Sequence, residues 1–242
     1  DVGRILKVLF PLIFCLPLSY VISPESLEIP FLGTIDDLNA TVIFGITYND
    51  IIRYLFIPIY VMVVSNLVNM HSGYNGLQTG LSIILLTTLI IKSINEGNFE
   101  TISISMAFLG SMIGFLWFNF YPSKVFEGNI GSLLFGSLLG SIIVLQEFWF
   151  FGFFILIPHT FNFLLWTYWL IMMRIDKNQY LLENGQHIKF GSISLDGNID
   201  VPNALTLKWI PNYYFRLNEF QTVLLMYFFT SLFCIMGLIF FK

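Results

Sequence analysis

The residues that first invite a chemical reading are asparagines at the end of an apolar run. Asn66 and Asn69 open the stretch Asn66-Leu67-Val68-Asn69-Met70-His71-Ser72-Gly73-Tyr74-Asn75-Gly76-Leu77. A spacing of three puts both amides on one helical face. Amides at the end of a membrane helix are costly unless partnered. They serve either helix–helix hydrogen bonding beside an ordinary Asn75-Gly76 turn, or a ligand that the glycines let the backbone approach closely. A second cluster is Tyr121-Pro122-Ser123-Lys124-Val125-Phe126-Glu127-Gly128-Asn129-Ile130-Gly131-Ser132. Gly128 and Gly131 flank an expected helix start, where backbone N–H groups suit an anion. The plainer reading is a tight loop with Lys124 facing lipid headgroups. The third cluster is Asp1 with Lys7, a lysine that either snorkels to the membrane interface or partners a phosphate. Together these clusters supply amide oxygens, a carboxylate, lysines and glycine-rich turns. That is the equipment for binding a diphosphate with a divalent cation.

Such groups need a scaffold, and composition says which kind. The 242 residues are 56% hydrophobic and 11% charged, with 27 Phe and a mean hydropathy of +0.78. A soluble domain carries about 25% charged residues, so the chain is an all-α polytopic membrane protein. A net charge of -4 gives no reason to expect a nucleic-acid partner. Cys15 and Cys234 lie in apolar runs without metal or redox spacing and read as small buried hydrophobes.

A helix needs about 20 apolar residues to cross the hydrocarbon core. Seven runs qualify: 5–23, 51–69, 76–93, 101–120, 130–146, 148–172 and 221–241. Glycines 110, 114, 131, 136 and 140 are expected to permit close helix packing. Seven spans put 1–4, 70–75, 121–129 and 173–220 on one side, and 24–50, 94–100, the turn near Glu147 and the C-terminus on the other. The first side with its flanks carries Arg4, Lys7, Lys124, Arg174, Lys177, Lys189, Lys208 and Arg216, and the second carries Arg53, Lys92 and Lys242. Eight basic residues against three make the first side cytoplasmic by the positive-inside rule. All three polar clusters then share the cytoplasmic face, and the sequon Asn39-Ala40-Thr41 falls outside.

Two extramembrane segments stand out in this single transmembrane unit. In the external loop 24–50, Leu27–Phe31 and Ala40–Gly45 are expected to pair as a hairpin, with Pro30 confining the first strand to an edge. In the cytoplasmic loop 173–220, the alternation in 187–190 and 192–195 followed by Asp196-Gly197 predicts another hairpin.

The clusters resemble motifs of the polyprenyl-phosphate sugar-phosphate transferases, nearest to the dolichyl-phosphate N-acetylglucosamine-phosphate transferases in an archaeal version. The family's asparagine-rich motif is similar to Asn66–Asn69 with Gly73-Tyr74-Asn75-Gly76-Leu77, and its next loop is similar to 120–129. The phrase Pro158-His159-Thr160-Phe161-Asn162-Phe163-Leu164 is similar as well, so the likeness covers essentially the whole chain. Family members have about ten spans, with an Asp-Asp pair after the third and a Lys opening the fourth. Asp1 looks like the second of those aspartates and Lys7 like the phosphate-binding lysine, so the seven spans are expected to be the fourth through tenth of an N-terminally shortened chain. Asp36-Asp37 lies on the wrong side and reads as hairpin solvation.

The resemblance implies roles, residue by residue. Asn69 would bind Mg²⁺ (or Mn²⁺), with Asn129 standing where the family commonly has a metal-binding aspartate. Either the substrate diphosphate and a missing aspartate hold the cation, or Glu127 substitutes, or activity is weakened. Gly73, Asn75 and Phe126 would hold the uracil, with Asn66 also on the substrate side. Lys7 would hold the diphosphate, and Asp1 would orient or deprotonate the lipid phosphate. His187 is similar to a loop histidine that contacts sugar or diphosphate, although Gln186 and Ile188 replace its flanking arginines. His71 and His159 match no family ligand, and His159 is expected to be buried and hydrogen-bonded. The implied reaction moves N-acetylglucosamine 1-phosphate from a UDP-sugar to a polyprenyl or dolichyl phosphate in lipid-linked oligosaccharide synthesis for protein glycosylation. Its setting would be the cytoplasmic face of the plasma membrane, and the family's habit implies a homodimer. The triple-histidine signature of the cell-wall member is missing from 173–220, which argues against a MurNAc-pentapeptide substrate. A secondary transporter would place polar sites near the midplane rather than at one face. An inactive scaffold would be consistent with Asn129 and the shortened chain.

Overall fold

The computed structural model describes residues 4–24, 26–29, 33–175 and 191–241. The chain opens with α1 (Arg4–Phe14) and α2 (Leu16–Val21), broken at Cys15. This differs from the single span expected over 5–23. Pro11 sits inside α1, and a proline opens α2. Each proline lacks the N–H that a continuous helix needs.

The loop that follows forms two local hairpins rather than one long-range pair. Strand β1 (Leu27–Ile29) pairs antiparallel with β2 (Gly33–Ile35), and β3 (Thr41–Ile43) pairs with β4 (Ile46–Thr47). Phe44 and Gly45, both with positive φ, close the second turn. A turn that short needs little loop-closure entropy, so each strand pairs with its neighbour. Asp36 and Asp37 lie between the hairpins, outside every strand.

A capping box of Thr47 and Asp50 starts α3 (Tyr48–Ile51), which continues through a π-helical turn (Ile52–Phe56) into α4 (Ile57–Met70). Next come α5 (Leu77–Asn95), α6 (Ile102–Asn119) and α7 (Gly128–Leu145). Helices α8 (Trp149–Ile155) and α9 (Ile157–Ile175) meet at a 62° bend, with Pro158 just beyond it. Strands β5 (Ser192–Ile193) and β6 (Ile199–Asp200) pair around Asp196-Gly197, with Gly197 at φ 78°, as the expected turn chemistry requires. The rest of that predicted hairpin, 187–190, lies outside the described residues. Helix α10 (Trp209–Tyr214) and the long α11 (Glu219–Phe240), which a capping box of Asn218 and Gln221 starts, complete the chain. Among the described residues, five helices are long and apolar enough to cross a membrane, or six with the bent α8–α9 pair counted as one.

The tightest packing sets α4 against α7. A Cβ on Gly136 would lie 2.6 Å from the Ser65 Cα, and one on Gly140 would lie 3.1 Å from the Val61 Cα. Without side chains at these two positions the helices approach to backbone contact, which registers Asn69 against the first turn of α7. Gly110 and Gly114, also expected to mediate packing, face open space, and Gly131 faces only Glu127 of its own loop.

Candidate functional site

Registering α4 against α7 brings two of the sequence clusters together at one end of the bundle. The Ser132 hydroxyl donates to Asn69 Oδ1 at 2.5 Å, and its oxygen also lies 2.9 Å from the Gly128 carbonyl and 3.3 Å from the Asn129 carbonyl. One hydroxyl thus spans the two asparagines assigned to a metal, and Asn129 itself is exposed. Asn66 donates to the Met62 carbonyl of its own helix at 2.8 Å, so its amide nitrogen serves α4. The Gly131 N–H donates to the Glu127 carbonyl at 3.0 Å. It is therefore engaged in the first turn of α7, which starts at Gly128, as the two flanking glycines led one to expect.

The loop between α6 and α7 leans on the loop between α4 and α5. The Ser123 hydroxyl donates to Asn75 Oδ1 at 2.9 Å. Behind it, buried Asn119 accepts from the Thr79 hydroxyl at 2.9 Å and donates to the Val125 carbonyl and to Glu127 Oε2, each at 2.9 Å. Phe126 projects with 71% of its surface exposed, as a ring free to stack on a planar ligand would. It also lines a cleft of about 300 Å³ between α6 and α7, whose walls include Phe108, Met112, Phe115 and Phe135, with Glu127 at one edge.

The C-terminal third closes the other side of the loop. Asn162 Nδ2 donates to the Met70 carbonyl at 3.2 Å, and its Oδ1 accepts from the Leu207 N–H at 2.9 Å. This one amide holds the 203–208 segment against the end of α4. Lys208 Nζ then bonds the Ser72 carbonyl and lies 5.1 Å from the centre of the Tyr74 ring. Burial draws the Lys208 ammonium down to about 8, against the pull of Glu219. The Asn75 N–H donates to Glu219 Oε1 at 2.5 Å, and the Tyr227 hydroxyl donates to the Gly76 carbonyl at 2.5 Å.

Two histidines sit beneath this loop. His71 and His159 are fully buried with ring centres 4.7 Å apart, edge to face. The expectation that His159 is buried holds. The expectation that it is hydrogen-bonded does not, because neither ring nitrogen of either histidine meets a hydrogen-bond partner among the described residues. Burial, and then the neighbouring His159 and Lys208, keep His71 well below the usual imidazole range and therefore neutral.

Asp1 and His187 lie outside the described residues, as does the side chain of Lys7. The structure therefore assembles Asn66, Asn69, Gly73, Asn75, Phe126 and Asn129; it gives partners to Ser123 and Ser132 of the second cluster, which had no role assigned, and adds Lys208 and Glu219, which no motif named. No spacing pattern flags Lys208 or Glu219. They become visible only once three distant segments meet. Asn162 did carry a signal, since it lies in the 158–164 phrase, and its work is to pin two loops together. Among the described residues no three His, Cys, Asp or Glu side chains group to hold a metal. The oxygen donors near Asn69 are amides and a hydroxyl, with Glu127 the carboxylate in that loop. This is a hard donor set, compatible with Mg²⁺ when phosphate oxygens complete it.

Comparison with known proteins supplies the family. The model of Glycosyl transferase family 4 matches residues 1–147. A putative UDP-N-acetylglucosamine–dolichyl-phosphate N-acetylglucosaminephosphotransferase of Sulfolobus acidocaldarius is 28% identical over 99% of this chain and 67% of its own length. Its counterpart in Saccharolobus solfataricus is also 28% identical, over 99% of this chain and 68% of its own length. A probable undecaprenyl-phosphate N-acetylglucosaminyl 1-phosphate transferase of Bacillus subtilis is 36% identical over 36% of this chain and 26% of its own length. The matched region contains both polar loops and the helices that align them, and on that ground the chain belongs to Glycosyl transferase family 4.

Proposed function

We propose that this integral membrane protein transfers N-acetylglucosamine 1-phosphate, or a closely related sugar phosphate, from a UDP-sugar to a polyprenyl or dolichyl phosphate. An oxygen of the lipid phosphate attacks the sugar-side phosphorus. The bond from that phosphorus to the oxygen of the uridine-side phosphate breaks, UMP leaves, and a lipid-diphosphate-sugar remains in the membrane. The observation that carries this reading is the convergence at one end of the bundle of Asn69 with Ser132, Asn75 with Ser123, and Ser72 with Lys208. Three segments far apart in sequence meet where polar groups, glycine turns and an exposed aromatic ring are needed together. Clustering at one end also distinguishes the site from a transporter's midplane site.

The family resemblance supplies the roles. Asn75 and Gly73 would receive the uracil, with Phe126 stacking on it, and Asn66 would line the same side. Asn69 and Asn129, with Glu127 nearby, would hold Mg²⁺, which would draw negative charge from the diphosphate when bound. Lys7 would hold phosphate, Asp1 would orient the acceptor, and His187 would reach the sugar. The apolar cleft beside Phe126 has walls suited to a hydrocarbon chain. The excess of basic residues on this side supports a site at the cytoplasmic face, and the plasma membrane is its proposed setting.

The test is UMP release by the protein purified from its complete coding sequence, given UDP-N-acetylglucosamine, a polyprenyl phosphate and Mg²⁺. Release that requires both lipid and cation is expected. Silence with every UDP-sugar tried would overturn the reading.

A further inference from the structure

The turn 72–75 owes its shape to residues beyond position 147, where the family match ends. Ser72 offers its carbonyl to Lys208 Nζ, and the ammonium lies over the Tyr74 ring. The Tyr74 hydroxyl lies 3.4 Å from Asn212 Oδ1, and the Asn75 N–H is held by Glu219. Gly73, at φ 110°, passes so close that a Cβ there would lie 2.6 Å from the Lys208 Nζ. Lys208 is itself firmly placed. It caps α10, the preceding Leu207 N–H is bonded to Asn162, and the following Trp209 packs on Trp169 with ring centres 5.2 Å apart. Among the described residues the ion pair within 4.0 Å is Lys92–Glu96, at the far end of α5. The Lys208 ammonium is thus directed at a backbone carbonyl and an aromatic face rather than at a carboxylate. A partly buried cation held this way is costly unless it does work for the turn it grips.

We propose that Lys208 is a positioning residue for the nucleotide donor: by gripping the Ser72 carbonyl and the Tyr74 ring it fixes the 72–75 turn in the shape that receives uridine. This inference rests on the transferase reading and deepens it, because it assigns donor affinity to a residue outside the matched region. Lys208 acts through the turn, so its loss raises the KM for donor and spares the acceptor. Arginine can keep both contacts, since a guanidinium donates to carbonyls and stacks over aromatic rings.

The experiment uses the protein from its complete coding sequence, unsubstituted and as Lys208→Met and Lys208→Arg. It measures uridine and UMP binding by calorimetry, kcat and KM for both substrates, and thermal stability. Lys208→Met is expected to weaken uridine and UMP alike and to raise donor KM by about tenfold, the loss of one charge-assisted contact. The KM for polyprenyl phosphate should stay within about twofold, and Lys208→Arg should restore donor KM to within about threefold. Unchanged uridine affinity in Lys208→Met would overturn the proposal, as would a donor loss matched by equal losses for the acceptor and in stability. If the unsubstituted protein binds no uridine nucleotide at all, the transferase reading falls and this inference falls with it.

Discussion

Lys92 and Lys208 are lysines drawn into the protein at opposite ends of α5, and the structure treats them differently. Lys92 is buried and fully partnered, by the Glu96 carboxylate, the Phe241 carbonyl and the Phe148 and Phe151 rings, each ring centre 5.6 Å away. These contacts tie α5 to α8 and to the end of α11. Lys208 meets a loop carbonyl and a tyrosine face, while the carboxylate nearest in charge, Glu219, is bonded to the Asn75 backbone. At one end of the bundle the buried lysine is paired with a carboxylate. The other holds its polar groups around a glycine turn whose Gly73 is exposed. The contrast separates a clamp from a site better than the count of polar residues, since both ends contain buried amides.

The amides give the sharpest way to break this comparison. Asn69→Ala at the site end should cut UMP release at least about 100-fold, as expected for a residue that holds the cation of the reacting diphosphate. Gln146→Ala at the far end, which removes a buried bond to Thr101, should leave kcat within about twofold and lower only stability. A comparable loss of turnover in both would erase the distinction. The lysines come next. Lys92→Met should cost about 2 kcal/mol of stability and leave donor KM unchanged, the reverse of the pattern expected for Lys208→Met. Helix packing offers a smaller effect. Gly136→Ala sets a methyl 2.6 Å from the Ser65 Cα and should destabilise by about 1–3 kcal/mol. Gly114→Ala enters open space inside α6 and should leave the stability read in the same thermal melt unchanged or raise it by up to about 1 kcal/mol of helix propensity.

The smallest effect is one of pH. Lys208 loses its proton as pH rises through about 8, and the groups facing it are Glu219 from α11, and His71 and Tyr74 at the two sides of its turn. Its charge strengthens the grip on the carbonyl and the ring below that pH and fades above it. Donor KM should therefore rise about threefold between pH 7 and 9, as a charge-assisted bond becomes a neutral one. Lys208→Arg, which stays charged, should show no such rise.

Much of the fold was legible because lipid enforces it. Apolar runs of span length at 51–69, 76–93, 101–120, 130–146 and 221–241 became helices, since backbone groups in hydrocarbon must bond within their own segment. The break inside 5–23 was not legible because hydropathy is blind to where Pro17 removes a helix donor. The 24–50 loop was misread because Phe44-Gly45 closes a turn locally without any Asn-Gly signature. In the site, Asn69 and Asn75 were readable from spacing within one loop. Ser132, Lys208 and Glu219 were not, because their meaning comes from contact across 63, 136 and 144 residues of chain.

The most direct test of the account follows the phosphorus itself. The protein from its complete coding sequence would receive UDP-N-acetylglucosamine labelled at its sugar-side phosphate, with polyprenyl phosphate and Mg²⁺, and the organic phase would be counted beside an Asn69→Ala control. The account predicts that label enters the lipid in a one-to-one ratio with UMP released, and that Asn69→Ala abolishes both. Label that stays in the aqueous phase while UMP appears, or label reaching the lipid equally well in Asn69→Ala, would contradict it.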